Sequence, residues 1–538
     1  MALVELIRNA CSELSWDCST VTLLQPLRRL VNDTTFKLDR LAFAAMSVMG
    51  ALGVGAAGCP DYSTYSQTPH GNPSAGPLGL PFMRPNPACR TFNSTSVEKV
   101  ILDMNARLKD PDIARLFENT FPNTLGEHSM SGTQDENLAF IITGDISAQW
   151  LRDTGNQFAH YHDLLSIDQE LATLVKAVIN NEARYISEYP YCGAFQPPPE
   201  SGLPPSYNPW ADRVVVNPPV NNLTVFECKY ELDSLCSFIK LSTSYYQATG
   251  DSSMMNANWL SAIDQIFRVM SEQSQPSFDA DFNFVSYYNW TGLAGSLAGS
   301  VNNGGNGEPK GYTGMVGTSH RPSDDLSVYA FLTSANAMLS VELTNLATIL
   351  DHAGIAPKVS VQAKQWSQSI KEAIYEHAVS FDPVAISTHG LGSVYMMDDA
   401  NVPSLLSLHY LGFLDRNDST YVKTKKMLMS RQNPYYAKGQ NFSGIGGPHI
   451  DAWNPWPMSQ ITNIFGSDDD EEILESLYMI ANAGLGLIHE SIDIYNGSEY
   501  TRSWFAWANS YFSEMILDLA QRKPYLVFNS DEPYRPGQ

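Results

Sequence analysis

Apolar residues recur at helical spacing through most of the chain beyond residue 95. The run VEKVILDMNARLKDPDIARLFENTF (97–121) starts this pattern and is interrupted at Pro111. The same period returns over 155–189, 229–248, 254–274, 326–353, 357–379, 404–413, 419–431, 469–487 and 502–520. Strand signals are short and sparse, at Phe140–Thr143 and Arg213–Val216. Two long interruptions stand out: Pro-rich Phe195–Pro219 and Gly/Asn-rich Ser296–Gly317. Neither has the charge runs or repeats of a linker, so both read as loops on one helical domain. About a dozen helices predict pairs arranged around an axis, with the loops that carry function gathered at one end. No exact sequence period supports a tandem solenoid.

Ahead of the helical region the pattern changes twice. Residues 1–40 show no clear fold. Residues 41–58 (LAFAAMSVMGALGVGAAG) carry no charge, follow Lys37 and Arg40 and end in small residues. They have the parts of a secretory signal, at an unusual distance from the first residue; a retained membrane anchor and a buried helix are the alternatives. Residues 59–94 form a Pro/Gly/Ser-rich arm that reads as extended chain laid over a surface. The expected organisation is therefore an N-terminal extension (1–40), a signal-like or anchor segment (41–58), an arm (59–94), a catalytic domain (95–525) and a tail (526–538).

Charge and composition narrow the function classes. The chain has 538 residues, of which 43% are hydrophobic, so a large core is available. Its net charge of −24 argues against nucleic acid as a partner and against peripheral binding to anionic lipid. The 10 Trp and 26 Tyr suit a wet cleft lined by amphipathic rings, although such rings also fill cores. Of seven cysteines, Cys59, Cys89, Cys192, Cys228 and Cys236 follow the signal-like segment. Export is expected, with Cys59–Cys89 a plausible pair and at least one of the five unpaired within the chain. Asn-x-Ser/Thr acceptors are present but add little in so Asn- and Ser-rich a chain. No Cys/His spacing suits a metal, so no metal and no cofactor are expected.

Candidate chemistry lies in four polar clusters near helix ends. In Thr143–Asp153 (TGDISAQWLRD), Trp150 offers a platform and Arg152 and Asp153 offer hydrogen bonds to a polar ligand. The bland reading is a capped helix with an ion pair, Asp153 and Thr154 being good N-caps. In His320–Asp325 (HRPSDD), Pro322 and Ser323 suit a helix start, yet two adjacent carboxylates compete, and one held protonated can act as a general acid. Gly444–His449 (GIGGPH) lacks a dinucleotide fingerprint or phosphate-loop Lys. His489–Ser491 is followed by Asp493, where a zinc HExxH motif needs His, so Glu490 beside Arg502 and Trp504 reads as a general base or a buried ion pair. Asp468–Glu472 reads as a solvated helix start, not a calcium loop. Carboxylates, Arg, His and Trp in the loops of an acidic helical protein suit a sugar, and two carboxylates suffice for glycoside hydrolysis.

The motifs FPNTL (121–125), TGDISAQWLRD, RPSDD, GIGGPH, HES with TRSWFAWANS, YELDSLC (230–236) and MDDANVPSLL (397–406) together resemble glycoside hydrolase family 125, the exo-acting α-1,6-mannosidases. The resemblance covers roughly residues 95–520 in the expected order, and the 59–92 arm is similar to the mature start of secreted fungal members. It implies an all-α fold, an (α/α)6 toroid of the six-hairpin glycosidase type. It also implies metal-independent hydrolysis of terminal α-mannose with inversion, by two carboxyls ~6.5–9.5 Å apart. Carried onto this chain, the base matches Glu490. The acid matches Asp325 or Asp324; Asp325 is favoured, with Asp324 then holding a hydroxyl or restraining Arg321. Arg152, Asp153, His449 and Arg502 match the mannose subsite. Trp150 and Trp504 are stacking surfaces or supports, and Asp233, Arg321, Asp398 and His489 complete the expected set. Leu326 and Ser327 depart from the smaller or more variable residues expected after RPSDD. The implied partner is an α-mannoside oligosaccharide from mannan or N-glycans, in a secreted or lumenal glycoprotein, with a membrane only if 41–58 is retained. A calcium-dependent α-1,2-mannosidase and a non-catalytic mannoside-binding protein are the rival readings.

Overall fold

The computed structural model describes residues 58–126, 138–208, 212–292, 302–379, 384–448 and 450–537. The signal-like segment, apart from its last residue, and His449 lie outside the described residues. Two units are distinguished, Met1–Asp61 and Tyr62–Gln538, and the second contains the helical domain. Its long helices are α1 (Thr95–Arg107), α2 (Pro111–Thr120), α3 (Leu151–Gln157), α4 (Gln169–Glu188), α5 (Leu232–Thr249), α6 (Ala257–Gln273), α7 (Thr333–Ala353), α8 (Pro357–His377), α9 (Ser419–Leu428), α10 (Pro457–Phe465), α11 (Asp470–Ala481) and α12 (Ala506–Arg522).

The helices form an inner and an outer ring. Helices α3, α5, α7, α10 and α12 are buried nearly all round. Helix α3 packs on α5 and α12, α5 on α7, and α10 on α12. The sixth inner position is the buried stretch Val402–Leu408 with the turns that follow it, where the periodicity predicted a helix over 404–413. There the chain makes successive turns instead, tied by the Asp398 carboxylate and by Ser404–Ser407 hydrogen bonds. Outside, α4 packs on α5 and α6, α8 on α7, α11 on α10, and α2 on α12. This is an (α/α)6 toroid, and its core is one continuous apolar cluster shared by both rings.

Most outer helices start on side-chain caps; α8, which follows a left-handed Ala356, does not. Asp110, Asp168, Asn256, Asp418 and Asp469 each accept a backbone N–H of the first turn of α2, α4, α6, α9 and α11. The predicted break at Pro111 is thus the start of a second helix. The inner helices start on Trp150, Glu231, Leu332, Trp456 and Phe505, none of which makes a side-chain cap hydrogen bond. Two expected starts fail accordingly. Helix α3 begins at Leu151, so Asp153 lies within its first turn rather than capping it. Helix α7 begins at Thr333, and Pro322–Ser323 belong to a tight turn ahead of it. The expected helix over 155–189 is divided into α3, a 3-10 turn at Ala159–Leu164 and α4.

Short antiparallel ladders precede the inner helices. Strands β1 (Gln149–Trp150), β2 (Ala194–Phe195) and β4 (Val225–Glu227) form one sheet. Strand β3 (Asp212–Val216), close to its predicted position, pairs with β5 (Tyr288–Gly292). Strands β6 (Phe331–Leu332), β7 (Ser387–Thr388) and β8 (Val394–Tyr395) form a third sheet. Hairpins β9 (Tyr436–Lys438)–β10 (Ser443–Ile445) and β11 (Ser491–Ile492)–β12 (Tyr500–Thr501) precede α10 and α12. The predicted strand Phe140–Thr143 is extended chain without a ladder.

The arm from Tyr62 onward lies on the toroid. Asn119 of α2 holds it through Met83 N–H and Pro81 O, and Asp112 accepts Leu78 N–H. Cys192 and Cys228 form a disulfide, Cys59 and Cys89 are each disulfide-bonded, and Cys236 is free and buried.

Candidate active site

The polar motifs come together at the N-terminal ends of the inner helices. Arg152 and Asp153 sit in the first turn of α3, Glu231 and Asp233 at the start of α5, and Glu490 and Arg502 ahead of α12. Helix N-termini favour negative charge, so this end of the ring accommodates carboxylates that burial would otherwise penalise.

Arg152 is the hub of one half. Its guanidinium is buried and donates to Glu231 Oε1 at 2.7 Å and to Asp153 Oδ1 at 3.2 Å, and it faces Asp324 Oδ1 at 3.5 Å. Glu231 also accepts Ser234 Oγ at 3.1 Å. Lys229, paired with Glu227 at 3.1 Å, adds a second cation near Glu231 and Asp324. Carboxylates still outnumber cations here. Burial pushes Asp153 up to about 6, against the pull of Arg152 and Arg502. Burial likewise raises Asp233 to about 7 and lifts Glu231 well above the carboxylate range, with Asp324 adding to both. Neither oxygen of Asp233 has a hydrogen-bond partner among the described residues.

Arg502 is the hub of the other half. Glu490 precedes Ser491, which pairs with Thr501, so Glu490 and Arg502 emerge side by side from the β11–β12 hairpin. The Arg502 guanidinium donates to Asp145 Oδ1 at 2.7 Å and to Thr143 O at 3.1 Å, and lies 3.7 Å from Glu490 Oε1. Thr501 Oγ1 donates to Glu490 Oε2 at 2.9 Å. Gly144, at φ +126°, brings its backbone onto the Trp504 carbonyl, where a side chain would collide. That close approach docks Asp145 beside Arg502.

The RPSDD segment is a hairpin-like turn closed by a His320–Leu326 bridge. Asp324 stands at its tip with φ +66°, a left-handed conformation uncommon for a residue with a side chain; Arg502 shares it at φ +50°. The turn separates its two aspartates. The Asp324 side chain is 29% exposed and faces Arg152, whereas that of Asp325 is 3% exposed and faces Arg321 at 3.4 Å. Ser323 Oγ lies 3.1 Å from Asp325 and 2.7 Å from Asp399, and Arg321 lies 3.5 Å from Asp399. Gly447 presses on the Asp325 carboxylate so closely that a side chain there would collide with it. Arg321 is therefore restrained by Asp325 rather than by Asp324.

Several of the expected site residues are buried. Asp398 accepts the Leu405 and Leu406 N–H groups at 2.7 and 2.9 Å and holds the inner turns; its neighbour Asp399 is the one tied to the RPSDD turn. His489 stacks on Tyr500 with centroids 3.7 Å apart, and burial lowers its pKa to about 4. Trp504 is 1% exposed and its indole N–H donates to Asn123, so it offers no face to a ligand. Trp150 is 7% exposed and packs edge-on against Phe226. Sequence reasoning passed over Glu231, Asp145, Lys229, Asp399 and Thr501. Glu231, Asp399 and Thr501 lie within two residues of one already singled out, Lys229 stands two before Glu231, and Asp145 lies inside the 143–153 motif.

Among the site's carboxylates, Asp324 faces Arg152 and Glu490 faces Arg502. A pair of carboxyl groups with polar neighbours is what glycoside hydrolysis requires. Residues 110–517 match the family model described as metal-independent α-mannosidase (GH125). The meiotically up-regulated gene 157 protein of Schizosaccharomyces pombe is 46% identical over 484 residues, covering 87% of this chain and 94% of that protein. A Streptococcus pneumoniae structure, described as a member of a family of metal-independent α-mannosidases and solved as a non-productive complex with α-1,6-mannobiose, superposes with a TM-score of 0.72. It is 27% identical, and the match covers 80% of this chain and 99% of that one. The chain belongs to the metal-independent α-mannosidases of family GH125 and is a glycoside hydrolase.

Proposed function

We propose that the protein is an exo-acting α-1,6-mannosidase that inverts the anomeric carbon, with Asp324 as general acid and Glu490 as general base. The observation that carries this reading is the contrast in surroundings. Asp324 shares one guanidinium with Glu231 and Asp153 and is partly open to solvent. Glu490 faces Arg502 and accepts the Thr501 hydroxyl. The first setting favours a held proton; the second favours a charged oxygen that can take one.

In this scheme the terminal mannose lies between the two halves. Asp324 gives its proton to the glycosidic oxygen as the bond to C1 breaks. Glu490 takes a proton from water as that water attacks C1 from the opposite face, so α-linked substrate yields β-mannose. Arg152, Asp153, Asp145 and Arg502 hold the ring hydroxyls, and His449 is retained as a candidate from its motif. Asp325 anchors Arg321 and the turn beneath Asp324. The likeness to the Streptococcus pneumoniae protein, solved with α-1,6-mannobiose, supports the linkage. The natural substrates in this reading are mannan or N-glycan fragments. The Cys192–Cys228 disulfide supports a secretory location. Among the described residues no helix is long and apolar enough to cross a membrane.

Proton NMR of α-1,6-mannobiose hydrolysis in EDTA tests the reading. β-Mannose is expected as the first product. α-Mannose first would overturn inversion. Activity appearing only with calcium or on α-1,2-linked substrate would favour the rival mannosidase, and mannoside binding without any product would favour a binding protein.

A further inference from the structure

The chain holds seven Asn-x-Ser/Thr triplets, at Asn32, Asn93, Asn222, Asn289, Asn417, Asn441 and Asn496. As sequence alone they carry little weight. The structure sorts six of them; Asn32 lies outside the described residues. An attached oligosaccharide is bulky and hydrated, so it needs an Asn amide open to water on chain whose other contacts it leaves intact.

Four of the six meet that condition. Asn93 and Asn417 are exposed and stand immediately ahead of Ser94 and Asp418, which cap α1 and α9 with their own side chains. A sugar on the residue ahead leaves either cap in place. Asn222 is exposed in the turn before β4, which Asn221 closes by accepting the Thr224 and Val225 N–H groups. Asn496 is exposed in the turn of the β11–β12 hairpin. There Ser498, the third residue of its triplet, donates its hydroxyl to Asn496 Oδ1 at 2.7 Å, and Asn496 Nδ2 donates to the exposed Glu499 at 3.2 Å. The other two amides are engaged in packing. Asn289 is half-buried within β5, and its Nδ2 donates to Gly304 O at 2.7 Å. Gly305 lies so close that a Cβ there would come within 2.6 Å of the same amide, so a sugar would push the 302–305 turn away. Asn441 is half-buried, and its Nδ2 donates to Tyr495 O while its N–H donates to Ile494 O at 2.9 Å. Its third residue, Ser443, is buried in β10. A sugar on Asn441 would part the β9–β10 hairpin from the β11–β12 hairpin.

We propose that Asn93, Asn222, Asn417 and Asn496 are N-glycosylated and that Asn289 and Asn441 are not. The proposal rests on the reading that the protein enters the secretory pathway. In the transfer, the Asn Nδ2 forms a bond to C1 of an oligosaccharide carried on a polyprenyl diphosphate. The bond from C1 to the diphosphate oxygen breaks, Nδ2 gives up one proton, and the polyprenyl diphosphate leaves. Two of the four glycans then stand on chain that carries the site. Asn222 precedes the β4 segment leading to Glu231, and Asn496 shares its hairpin with Glu490 and Arg502.

The test follows the full chain made in its native host and, in parallel, the full chain placed behind a cleavable signal sequence. Enzymatic release of N-glycans in heavy-oxygen water turns each glycosylated Asn into a labelled Asp, and peptide mass spectrometry reads the label. Label is expected at Asn93, Asn222, Asn417 and Asn496 and at neither Asn289 nor Asn441. On gels, Asn93→Gln, Asn222→Gln, Asn417→Gln and Asn496→Gln should each remove one glycan's step in mobility, and Asn289→Gln and Asn441→Gln should remove none. Label at Asn289 or Asn441, or its absence from any of the four in both chains, would overturn the proposal. A native chain without label would also overturn it, and the second chain then shows which premise failed. Label there at all four places the fault in the secretory location, and no label there places it in the sorting by exposure.

Discussion

The two halves of the site use the same residue types to opposite ends. Around Arg152, three carboxylates (Asp153, Glu231 and Asp324) crowd one guanidinium, with Asp233 close behind. Around Arg502, Asp145 takes the tight ion pair, and Glu490 is left with a longer contact to the guanidinium and a hydroxyl donor. Crowding of carboxylates at a buried site drives protons onto some of them, and a donor set drives protons off. In the proposed scheme one arginine serves the half that holds a proton and the other the half that receives one, and this difference, rather than the count of acidic residues, is the reason for proposing Asp324 as acid and Glu490 as base.

The largest expected effect breaks the chemistry on either side. Asp324→Asn and Glu490→Gln should each lower kcat by about 10³-fold or more, with melting temperature nearly unchanged. Asp325→Asn should behave differently. It takes one of its two carboxylate partners from the buried Arg321 and leaves it Asp399, so it should cost stability, about 3 kcal/mol by the usual loss of a buried ion pair. Denaturant unfolding alongside kcat separates the two. If Asp325→Asn kept wild-type stability and lost all turnover while Asp324→Asn stayed active, the roles of the two aspartates would be exchanged.

A smaller effect sharpens the comparison on the acid side. Glu231→Gln keeps the shape and a hydrogen-bond partner for Arg152. Burial already lifts Glu231 well above the carboxylate range, so Gln stands in for its neutral form. The basic limb of the kcat profile should therefore stay in place and turnover at neutral pH should fall by less than about tenfold. A limb moved to lower pH would mean that Glu231 is ionised beside Asp324. The matching change on the base side, Thr501→Val, removes a donor to Glu490 and should move the acidic limb upward.

Much of this architecture is legible in the sequence, and the illegible part has a physical cause. Most outer helices announce themselves by Asp or Asn caps and one-sided apolar periodicity, as at Asp110, Asn256 and Asp418. The inner helices begin on buried Trp, Leu or Phe, or on Glu231, whose carboxylate serves Arg152 and Ser234 instead of its own helix. Cap rules therefore misplace α3 and α7, where the chain bends to build the site. The motifs name the right loops, but not which of two neighbours faces inward. Asp398 and Asp399 differ by one residue, and only backbone geometry decides that the first holds the Leu405–Leu406 turn. The same holds for the adjacent Asp324 and Asp325, the first of which is itself left-handed. Trp150 and Trp504 look like sugar platforms because an indole has the same sequence signal in a core as in a cleft.

The crowded half should also mark the pH dependence of stability. Asp233 is raised to about 7 by burial, with Asp399 and Asp324 adding and Arg152 opposing. Its folded value stands above the unfolded one near 4, so its contribution to stability is full below about pH 4 and is lost as pH rises to about 7. Asp233→Asn has no proton to lose. The melting temperature of this variant minus that of wild type should therefore grow from pH 4 to pH 8, by roughly 2–5 °C. A difference that is flat across this range would mean that Asp233 is not held protonated in the fold.

The smallest expected effect concerns what holds the Glu490 half in place. The arm lies outside the residues that match the family model, yet it touches the segment carrying Arg502. Ser66 Oγ lies 2.8 Å from Ser503 Oγ, and the Tyr62 ring meets Trp504 edge-on at 4.8 Å. Asn119 joins the arm at Pro81 to Gly486, just ahead of His489 and Glu490. These contacts brace a left-handed Arg502 from behind without reaching the substrate. Ser66→Ala combined with Tyr62→Phe should therefore lower kcat about two- to fivefold with KM for mannobiose unchanged, because the misplaced group is one that acts in the transition state. Ser503→Ala should reproduce the Ser66→Ala part of the loss and add nothing to it, since both remove the same contact. The equivalent disturbance behind the Arg152 half, Asn181→Ala at the Ala139–Gln149 network, should act instead on the basic limb of the pH profile. If arm variants moved that limb, the two halves would be one coupled unit, and the separate assignment of acid and base surroundings would lose its footing.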